Sequence, residues 1–316
     1  MHDHEIRHLT KLDRRNLLRG AGIASGLLLL NQIDFDSYAA TTTTLPGFAA
    51  FSKSVRVTKN SKYYLVESSG LPAHPMMKGI VSWQQQVPTP QPYAGSNAWS
   101  IPIKPVISKT PMSAKNHFLR GAIAIAVNGI PIFNALNNRG DDALLAGELD
   151  DWGGHCGRAD DYHYHIAPLH LQTIIGKKVP IAYALDGFPI YGDTEIDGKA
   201  IAKLDEFNGH FDAKKNYHYH GTKTYPYING GFKGVVQEID GQVDPQAATK
   251  AFRPAGAPLR GAKITSCEQL GTNSFNLKYE ISGSIYEINY TADLKTVNMT
   301  FLSPDGAQRT ESYVRK

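Results

Sequence analysis

The chain has 316 residues, of which 41% are hydrophobic and 20% are charged, and its formal net charge is +4. This composition excludes collagen, a coiled coil and an intrinsically disordered chain, while the length allows roughly two domains of about 150 residues each. The 33 Lys and Arg residues are too closely balanced by 29 Asp and Glu residues to predict nucleic-acid binding.

The first 39 residues have the pattern of a twin-arginine export signal. Arg14 and Arg15 precede a short apolar run at residues 21–30, and residues 37–39 (Ser-Tyr-Ala) offer a small-residue cleavage site. The run has about ten residues, whereas a membrane-spanning helix needs roughly 20; the alternative is a basic amphipathic helix. We predict export by the twin-arginine machinery, cleavage after Ala39, and a soluble periplasmic or extracellular protein without a transmembrane segment.

Short β-branched and aromatic runs, broken by Pro, Gly and Asn, begin near residue 62 and predict a mainly β fold. The predicted strands in this part of the chain are residues 63–67, 79–85, 99–107 and 121–127. Helical patterns are confined to two short acidic stretches, residues 141–149 and 200–206.

One unit occurs twice in the middle of the chain. Residues 149–165 (LDDWGGHCGRADDYHYH) align without a gap with residues 204–220 (LDEFNGHFDAKKNYHYH). Upstream, residues 126–133 (AVNGIPIF) align with residues 184–191 (ALDGFPIY). Each unit is predicted to contain a hairpin that turns at Asn-Gly or Asp-Gly, a short helix and a histidine-bearing strand. We expect the two units to pack about a pseudo-twofold axis, so that equivalent residues meet or nearly meet.

The pattern changes after residue 236. Residues 237–263 are rich in Pro, Gly and Ala, which predicts a linker or a segment draped over the surface. Alternating apolar residues then return and predict an antiparallel meander of about four strands, which supports the fold or docks a partner. The predicted organisation is a signal peptide (1–39), a duplicated β-rich domain (60–236, with units at about 120–170 and 180–230), a linker (237–263) and a small antiparallel β domain (264–316).

The repeat places six of the twelve histidines. In a strand, residues two apart point to the same face, so His163 and His165 project together, away from the neighbouring tyrosines. A third histidine lies eight residues before each such pair, where glycine allows the chain to fold back. Neutral imidazoles in this arrangement suit a transition metal, and copper or zinc is the predicted cofactor. Either each unit builds its own site or the two units share one. The six predicted ligands are His155, His163, His165, His210, His218 and His220.

Five further residues are weaker candidates for the same sites. Asp150 and Asp205 could orient an imidazole, or they cap helices or face solvent. Asp186 could be a ligand, but turn chemistry also explains it. The histidine lies in a Pro-flanked turn and could close a site from outside the repeat. The cysteine is either a thiolate ligand or the disulfide partner of Cys267. These candidates are His74, Cys156, Asp150, Asp186 and Asp205.

Two metal-free roles would also account for the histidine pattern. In a metal-free exported enzyme or a carbohydrate-binding module, the tyrosines and Trp152 would stack on sugar and the histidines would act as acid and base. Alternatively, the strands are scaffold with tyrosines in the core. If a metal is bound, a closed ligand set would indicate a carrier or structural site, whereas an open position for water would indicate a hydrolase or an oxidase. The sequence leaves open whether the protein is an enzyme.

These motifs resemble those of the YHYH-domain family, named after the tetrapeptide that occurs twice here. The similarity runs from about Gly70 to Gly234 and rests on GLPAHP, AVNGIPIF, GGHCGRADDYHYH, YALDGFPIYG, LDEFNGH and YHYHGTKTYPYINGGFKG. The resemblance implies a YHYH domain in an exported protein, and it implies no particular reaction.

Overall fold

The computed structural model describes residues 45–315, so the predicted signal peptide lies outside the described residues. Within them the chain is mainly β, as predicted, with one short helix, α1 (Gln172–Ile175), and 3-10 turns at Phe48–Phe51, Gly95–Asn97 and Leu169–Leu171. The strands, in chain order, are β1 (Val55–Lys59), β2 (Tyr63–Ser68), β3 (Trp99–Pro102), β4 (Ile107–Ser113), β5 (Ala122–Ala126), β6 (Pro131–Phe133), β7 (Gly154–Cys156), β8 (Tyr162–Tyr164), β9 (Ala182–Ala184), β10 (Pro189–Tyr191), β11 (Gly209–Phe211), β12 (Tyr217–His220), β13 (Gly231–Gly234), β14 (Gln237–Ile239), β15 (Gln242–Asp244), β16 (Lys263–Gln269), β17 (Ser274–Ile281), β18 (Ser284–Ala292), β19 (Thr296–Leu302) and β20 (Gln308–Val314). Over residues 45–315, none of the helices has the length and apolar character needed to cross a membrane.

A central eight-stranded sheet has a strand order that is symmetric about its middle. The order is β11-β12-β10-β9-β5-β6-β8-β7, so the strands of unit 1 (about 120–170) and of unit 2 (about 180–230) run outward in the same succession. The innermost strands, β5 and β9, pair antiparallel with Ile125 opposite Tyr183. On either side of this pair, Val127 N–H donates to Ile181 O and Leu185 N–H donates to Ile123 O. A pseudo-twofold axis therefore passes between Ile125 and Tyr183.

The histidine strands lie far from this axis. Five strand spacings separate β8 from β12, which corresponds to about 24 Å at roughly 4.8 Å per spacing. The expectation that equivalent residues meet thus holds for the central strands and is wrong for the histidines. One metal ion cannot be shared between the two units across this distance.

The hairpin predicted in each unit is present. Both turns use a glycine with positive φ, Gly129 (81°) and Gly187 (94°), a conformation that glycine adopts without steric cost. The first turn is also tightly packed, because a Cβ on Gly129 would lie 2.6 Å from Cβ of Ser68. The hairpins β5–β6 and β9–β10 bury their apolar strands in the middle of the sheet, where every residue of β5 and β9 is buried.

Three other local predictions are wrong. Residues 141–149 and 200–206 form turns and extended chain rather than helices. In the second stretch, an Asp205 side-chain oxygen accepts the backbone N–H groups of Phe207 and Gly209, which competes with helical hydrogen bonding. Residues 79–85 form no strand; the N–H groups of Val81 and Ser82 both donate to Gly147 O.

The C-terminal region is an antiparallel meander of five strands, β16 to β20 in sequence order. It exceeds the predicted four strands by β16, which begins at the end of the predicted linker. The linker itself contains the hairpin β14–β15 and then drapes over the preceding domain, where Arg253 forms an ion pair with buried Asp160 (2.8 Å). The meander also contacts that domain, since the Tyr290 hydroxyl donates to Pro88 O (2.9 Å).

Candidate metal sites

The strand register of unit 1 brings three histidines together. β7 pairs antiparallel with β8 so that His155 lies directly opposite His163, and His165 follows two residues later on the same face. The Nε2 atoms of His155 and His165 are 3.0 Å apart, and those of His163 and His165 are 3.2 Å apart. We call these three residues the unit 1 cluster.

The Nδ1 atoms of two of these rings are held by backbone carbonyls. His163 Nδ1 lies 3.0 Å from Asp161 O and His165 Nδ1 lies 2.5 Å from Asn134 O. A carbonyl oxygen accepts only, so each Nδ1 carries the proton and each Nε2 presents a lone pair. The ring of His163 is further fixed by stacking on Phe133, with centroids 3.8 Å apart. Backbone contacts thus set both the tautomer and the ring orientation, as is usual for metal-bound histidines.

Unit 2 repeats this arrangement on β11 and β12. His210 lies opposite His218, and the Nε2 atom of His220 is 3.3 Å from that of His210 and 3.1 Å from that of His218. His220 Nδ1 lies 2.9 Å from Gly192 O, the carbonyl that corresponds to Asn134 in unit 1. We call His210, His218 and His220 the unit 2 cluster.

A carboxylate completes the unit 2 cluster. Glu195 Oε1 lies 3.1 Å from His210 Nε2, while Oε2 lies 3.6 Å from His218 Nε2 and 3.7 Å from His220 Nε2. Glu195 is not among the predicted ligands, because it lies in the loop after β10 where the two units cease to align. The residue of unit 1 at the same distance from the preceding hairpin is Asn137. The one sequence feature that could have indicated Glu195 is therefore a carboxylate that occurs in unit 2 and not in unit 1.

The unit 1 cluster instead faces a cavity of about 270 Å³. Within residues 45–315, the candidate ligand atoms gathered at this position come from the three histidines alone. Glu148 lines the cavity, but its Oε1 already accepts hydrogen bonds from Asn137 Nδ2 (3.2 Å) and Arg139 Nη2 (2.5 Å). Unit 1 thus offers three protein ligands and an open side, whereas unit 2 offers four.

Burial lowers the pKa values of several of these imidazoles. Burial and the neighbouring histidines lower the pKa of His155 far below its ordinary value and that of His165 to about 3. Burial likewise lowers the pKa values of His218 and His220. Burial opposes ionisation of Glu195, but the Ala202 amide and the three histidines outweigh it and lower its pKa. The histidines with lowered pKa values are therefore neutral imidazoles at neutral pH.

The tyrosines of each YHYH strand point to the other face and are anchored by hydrogen bonds. Tyr162 donates to Asp150 Oδ2 (2.8 Å), and Tyr217 donates to Asp205. Tyr219 donates to Asp186 Oδ2 (2.5 Å). The structure thus places the three acidic candidates against tyrosines on the face of the sheet opposite to the histidine clusters.

The remaining candidates also lie outside the clusters. His74 Nδ1 is 2.7 Å from Pro75 O and its Nε2 is 2.6 Å from the Tyr164 hydroxyl, while its ring stacks on Trp152. Cys156 and Cys267 are free, buried thiols, and burial raises the pKa of each.

Comparison with known proteins locates the family signal around unit 1. The sequence model of the family described as YHYH protein matches residues 98–200. This range contains the unit 1 cluster and the unit 2 hairpin, and it ends before the unit 2 cluster. No curated protein and no solved structure matches the chain. Residues 98–200 are therefore similar to the YHYH family, which supports a YHYH domain in this part of the chain.

Proposed function

We propose that this protein is exported and binds two transition-metal ions, zinc or copper, with one ion in each histidine cluster. The observation that carries the proposal is the convergence of three Nε2 atoms, repeated at both ends of the central sheet. In the unit 1 cluster, the Nε2 atoms of His163 and His165 lie 3.2 Å apart and cannot hydrogen-bond to each other, because the proton of each ring is on Nδ1. A cation between them turns this repulsion into binding.

The spacing also suits the metal. Four ligands arranged tetrahedrally at about 2.05 Å from zinc lie about 3.3 Å from one another. Two Nε2 separations in each cluster are close to that value. The backbone carbonyls that hold Nδ1 of His165 and His220 fix the orientation of these two rings. Imidazole and carboxylate donors are common ligands of both zinc and copper.

The tyrosines argue against a sugar-stacking surface. Tyr162, Tyr164 and Tyr219 have no exposed surface, and Tyr217 has 3%. Three of these hydroxyls donate to Asp150, Asp186 and Asp205. Aromatic rings that bind a carbohydrate must present a face to solvent, so the carbohydrate-binding alternative would depend on Trp152 alone, and that ring stacks on His74.

Elemental analysis of protein purified from its native compartment tests the proposal. We expect about two equivalents of zinc or copper per chain, and we expect His163→Ala and His218→Ala each to remove one equivalent and leave the other. Because a metal that binds only the folded state stabilises it by about 2.7 kcal/mol at 100 times its Kd, the wild-type melting temperature should rise with added metal. Less than about a tenth of an equivalent, with no thermal shift on adding zinc or copper, would contradict metal binding.

Export is tested separately by cell fractionation. Replacing both Arg14 and Arg15 by Lys should retain the full-length chain in the cytoplasm, because the signal depends on the arginine pair. Arg19→Lys, outside the pair, is the matched control and should leave export intact. Export of the double variant at the wild-type level would contradict this part of the proposal.

A further inference from the structure

We propose that the open side of the unit 1 cluster binds the oxyanion group of a small organic anion: a phosphate, a sulfate or a carboxylate. This inference rests on the proposed metal binding, and it assigns a ligand class to one of the two sites. It starts from the difference in ligand number, because a site with three protein ligands leaves a coordination position for an exogenous group. Glu195 fills that position in unit 2.

The charged residues that line the cavity beside the unit 1 cluster favour a negatively charged ligand. Three arginines line this cavity, Arg120, Arg139 and Arg158, against one carboxylate, Glu148. Arg139 is occupied, since its guanidinium pairs with Glu148 and with Asp141. The cavity therefore keeps an excess of positive charge even before a metal cation adds to it.

Two of these arginines have donors to offer. Within residues 45–315, no hydrogen bond or ion pair engages the Arg158 side chain. Arg120 donates one hydrogen bond from Nη1 to Asp240 O (3.3 Å), which leaves its other N–H groups available. A guanidinium presents paired donors that match the oxygens of phosphate and carboxylate groups.

Unit 2 lacks this feature. In the gap-free alignment of the two YHYH segments, the residue that corresponds to Arg158 is Ala213. The same chain thus carries a three-ligand cluster with an adjacent free arginine and a four-ligand cluster without one. An anion-binding function is therefore expected in unit 1 and not in unit 2.

A second cavity shows where the rest of the ligand would lie. It has a volume of about 470 Å³ and shares Arg120 and Arg158 with the first cavity. Beyond the arginines its lining is largely neutral, with Gln242, Gln246 and Thr249. Its one carboxylate, Asp161, accepts a hydrogen bond from the Ala159 amide (3.1 Å). An anionic group at the metal and the arginines would thus be joined to a neutral, polar remainder.

Calorimetric titration of the full-length, zinc-loaded chain with inorganic phosphate, sulfate and acetate tests the inference, and the three probes distinguish the oxyanion classes. We expect one anion per chain. His155→Ala should abolish anion binding, and His210→Ala should retain it while removing one zinc. Arg158→Gln should weaken binding about tenfold with zinc content unchanged. Lys214→Gln, an exposed cation beside Ala213, is the matched control and should have no effect.

Cobalt(II) provides a second measurement, because its visible absorption reports a change of ligand. The best-binding anion should alter the spectrum of cobalt-loaded His210→Ala and leave that of His155→Ala unchanged. Three results, each obtained with two equivalents of bound zinc, would overturn the inference and leave metal binding intact. They are no anion binding, loss of anion binding in His210→Ala, and an unchanged anion affinity in Arg158→Gln. A chain that takes up no zinc would overturn both proposals.

Discussion

The two histidine clusters are built alike and surrounded differently. In each, a short strand pair places three imidazoles at similar spacing, and the Nδ1 atom of the last histidine contacts an equivalent backbone carbonyl. In unit 2 a loop adds Glu195, while in unit 1 the loops leave a cavity lined by arginines. The strands thus determine which atoms can bind a metal, and the loops determine whether anything else can reach it.

On the opposite face of the sheet the contrast is reversed. Asp150 is buried and accepts hydrogen bonds from the Met77, Trp152 and Gly154 amides as well as from Tyr162. Its counterpart Asp205 is about a third exposed and lies 3.5 Å from Lys233 Nζ. On this face, unit 1 is therefore the more deeply enclosed of the two.

The largest difference between the two units is expected in their stability at low pH. The pKa values of His165 (about 3) and His74 (about 4) lie below the ordinary 6.5, so the unfolded chain binds more protons and stability falls as the pH drops below 6.5. At pH 4.5 these two groups together cost the metal-free protein about 5 kcal/mol. In unit 2, Glu195 offers a protonated histidine a partner.

Hydrogen exchange followed by mass spectrometry from pH 7 to pH 4.5 checks this order. Amides of β7 and β8 should lose protection at a higher pH than those of β11 and β12. The reverse order would mean that the enclosure of unit 1 does not control its acid stability.

The next largest effect on stability is expected from replacing the glycine that precedes the first histidine of each cluster. A Cβ on Gly154 would lie 2.6 Å from the Tyr162 hydroxyl, and one on Gly209 would lie 2.2 Å from that of Tyr217. We expect Gly154→Ala and Gly209→Ala each to lower the free energy of unfolding by about 3 kcal/mol and to weaken metal binding in its own unit only. Denaturant unfolding and metal titration measure both; Gly271→Ala, where the Cβ has space, is the control. A loss of metal from both units in either variant would show that the sites are coupled.

Glu195, the proposed fourth ligand, can be replaced by an uncharged side chain of the same size. Glu195→Gln should weaken metal binding in unit 2 by at least about tenfold, because the amide has no charge and is a poorer ligand. The affinity of unit 1 should not change. Competition with a chromogenic chelator, using His155→Ala and His210→Ala backgrounds to isolate each site, measures the two affinities; equal affinities before and after the change would exclude Glu195 as a ligand.

The smallest difference in stability is expected from removing the tyrosine hydroxyls that donate to Asp150 and Asp205. Tyr162→Phe should cost about 1 to 2 kcal/mol, because it leaves a buried carboxylate with one partner fewer. Tyr217→Phe should cost less than about 1 kcal/mol, since water reaches Asp205. Thermal unfolding of the metal-free variants compares the two, and a larger loss for Tyr217→Phe would contradict the burial argument.

Sequence reasoning was strongest where a pattern repeats. The mainly β class, the Asn-Gly and Asp-Gly hairpins and the C-terminal alternation all follow from residue types at fixed spacing, and the structure has them. Glu195 was missed because it lies in a loop that the two units do not share, and Asp205 was placed in a helix because its capping role depends on a turn geometry that composition does not show. Whether a cluster has an open side depends on loops from distant parts of the chain, so Arg158 and its cavity could not be predicted from spacing.

The central pairing of β5 with β9 has a consequence for how the chain can be divided. If the chain were cut between the units, β5 would become a sheet edge whose every side chain is apolar, with its backbone N–H and C=O groups unpaired. The twofold register means that a second copy of the same half could occupy the place of β9 almost unchanged. Either half expressed alone should therefore self-associate through this edge, so the intact chain amounts to a dimer whose two partners are joined covalently.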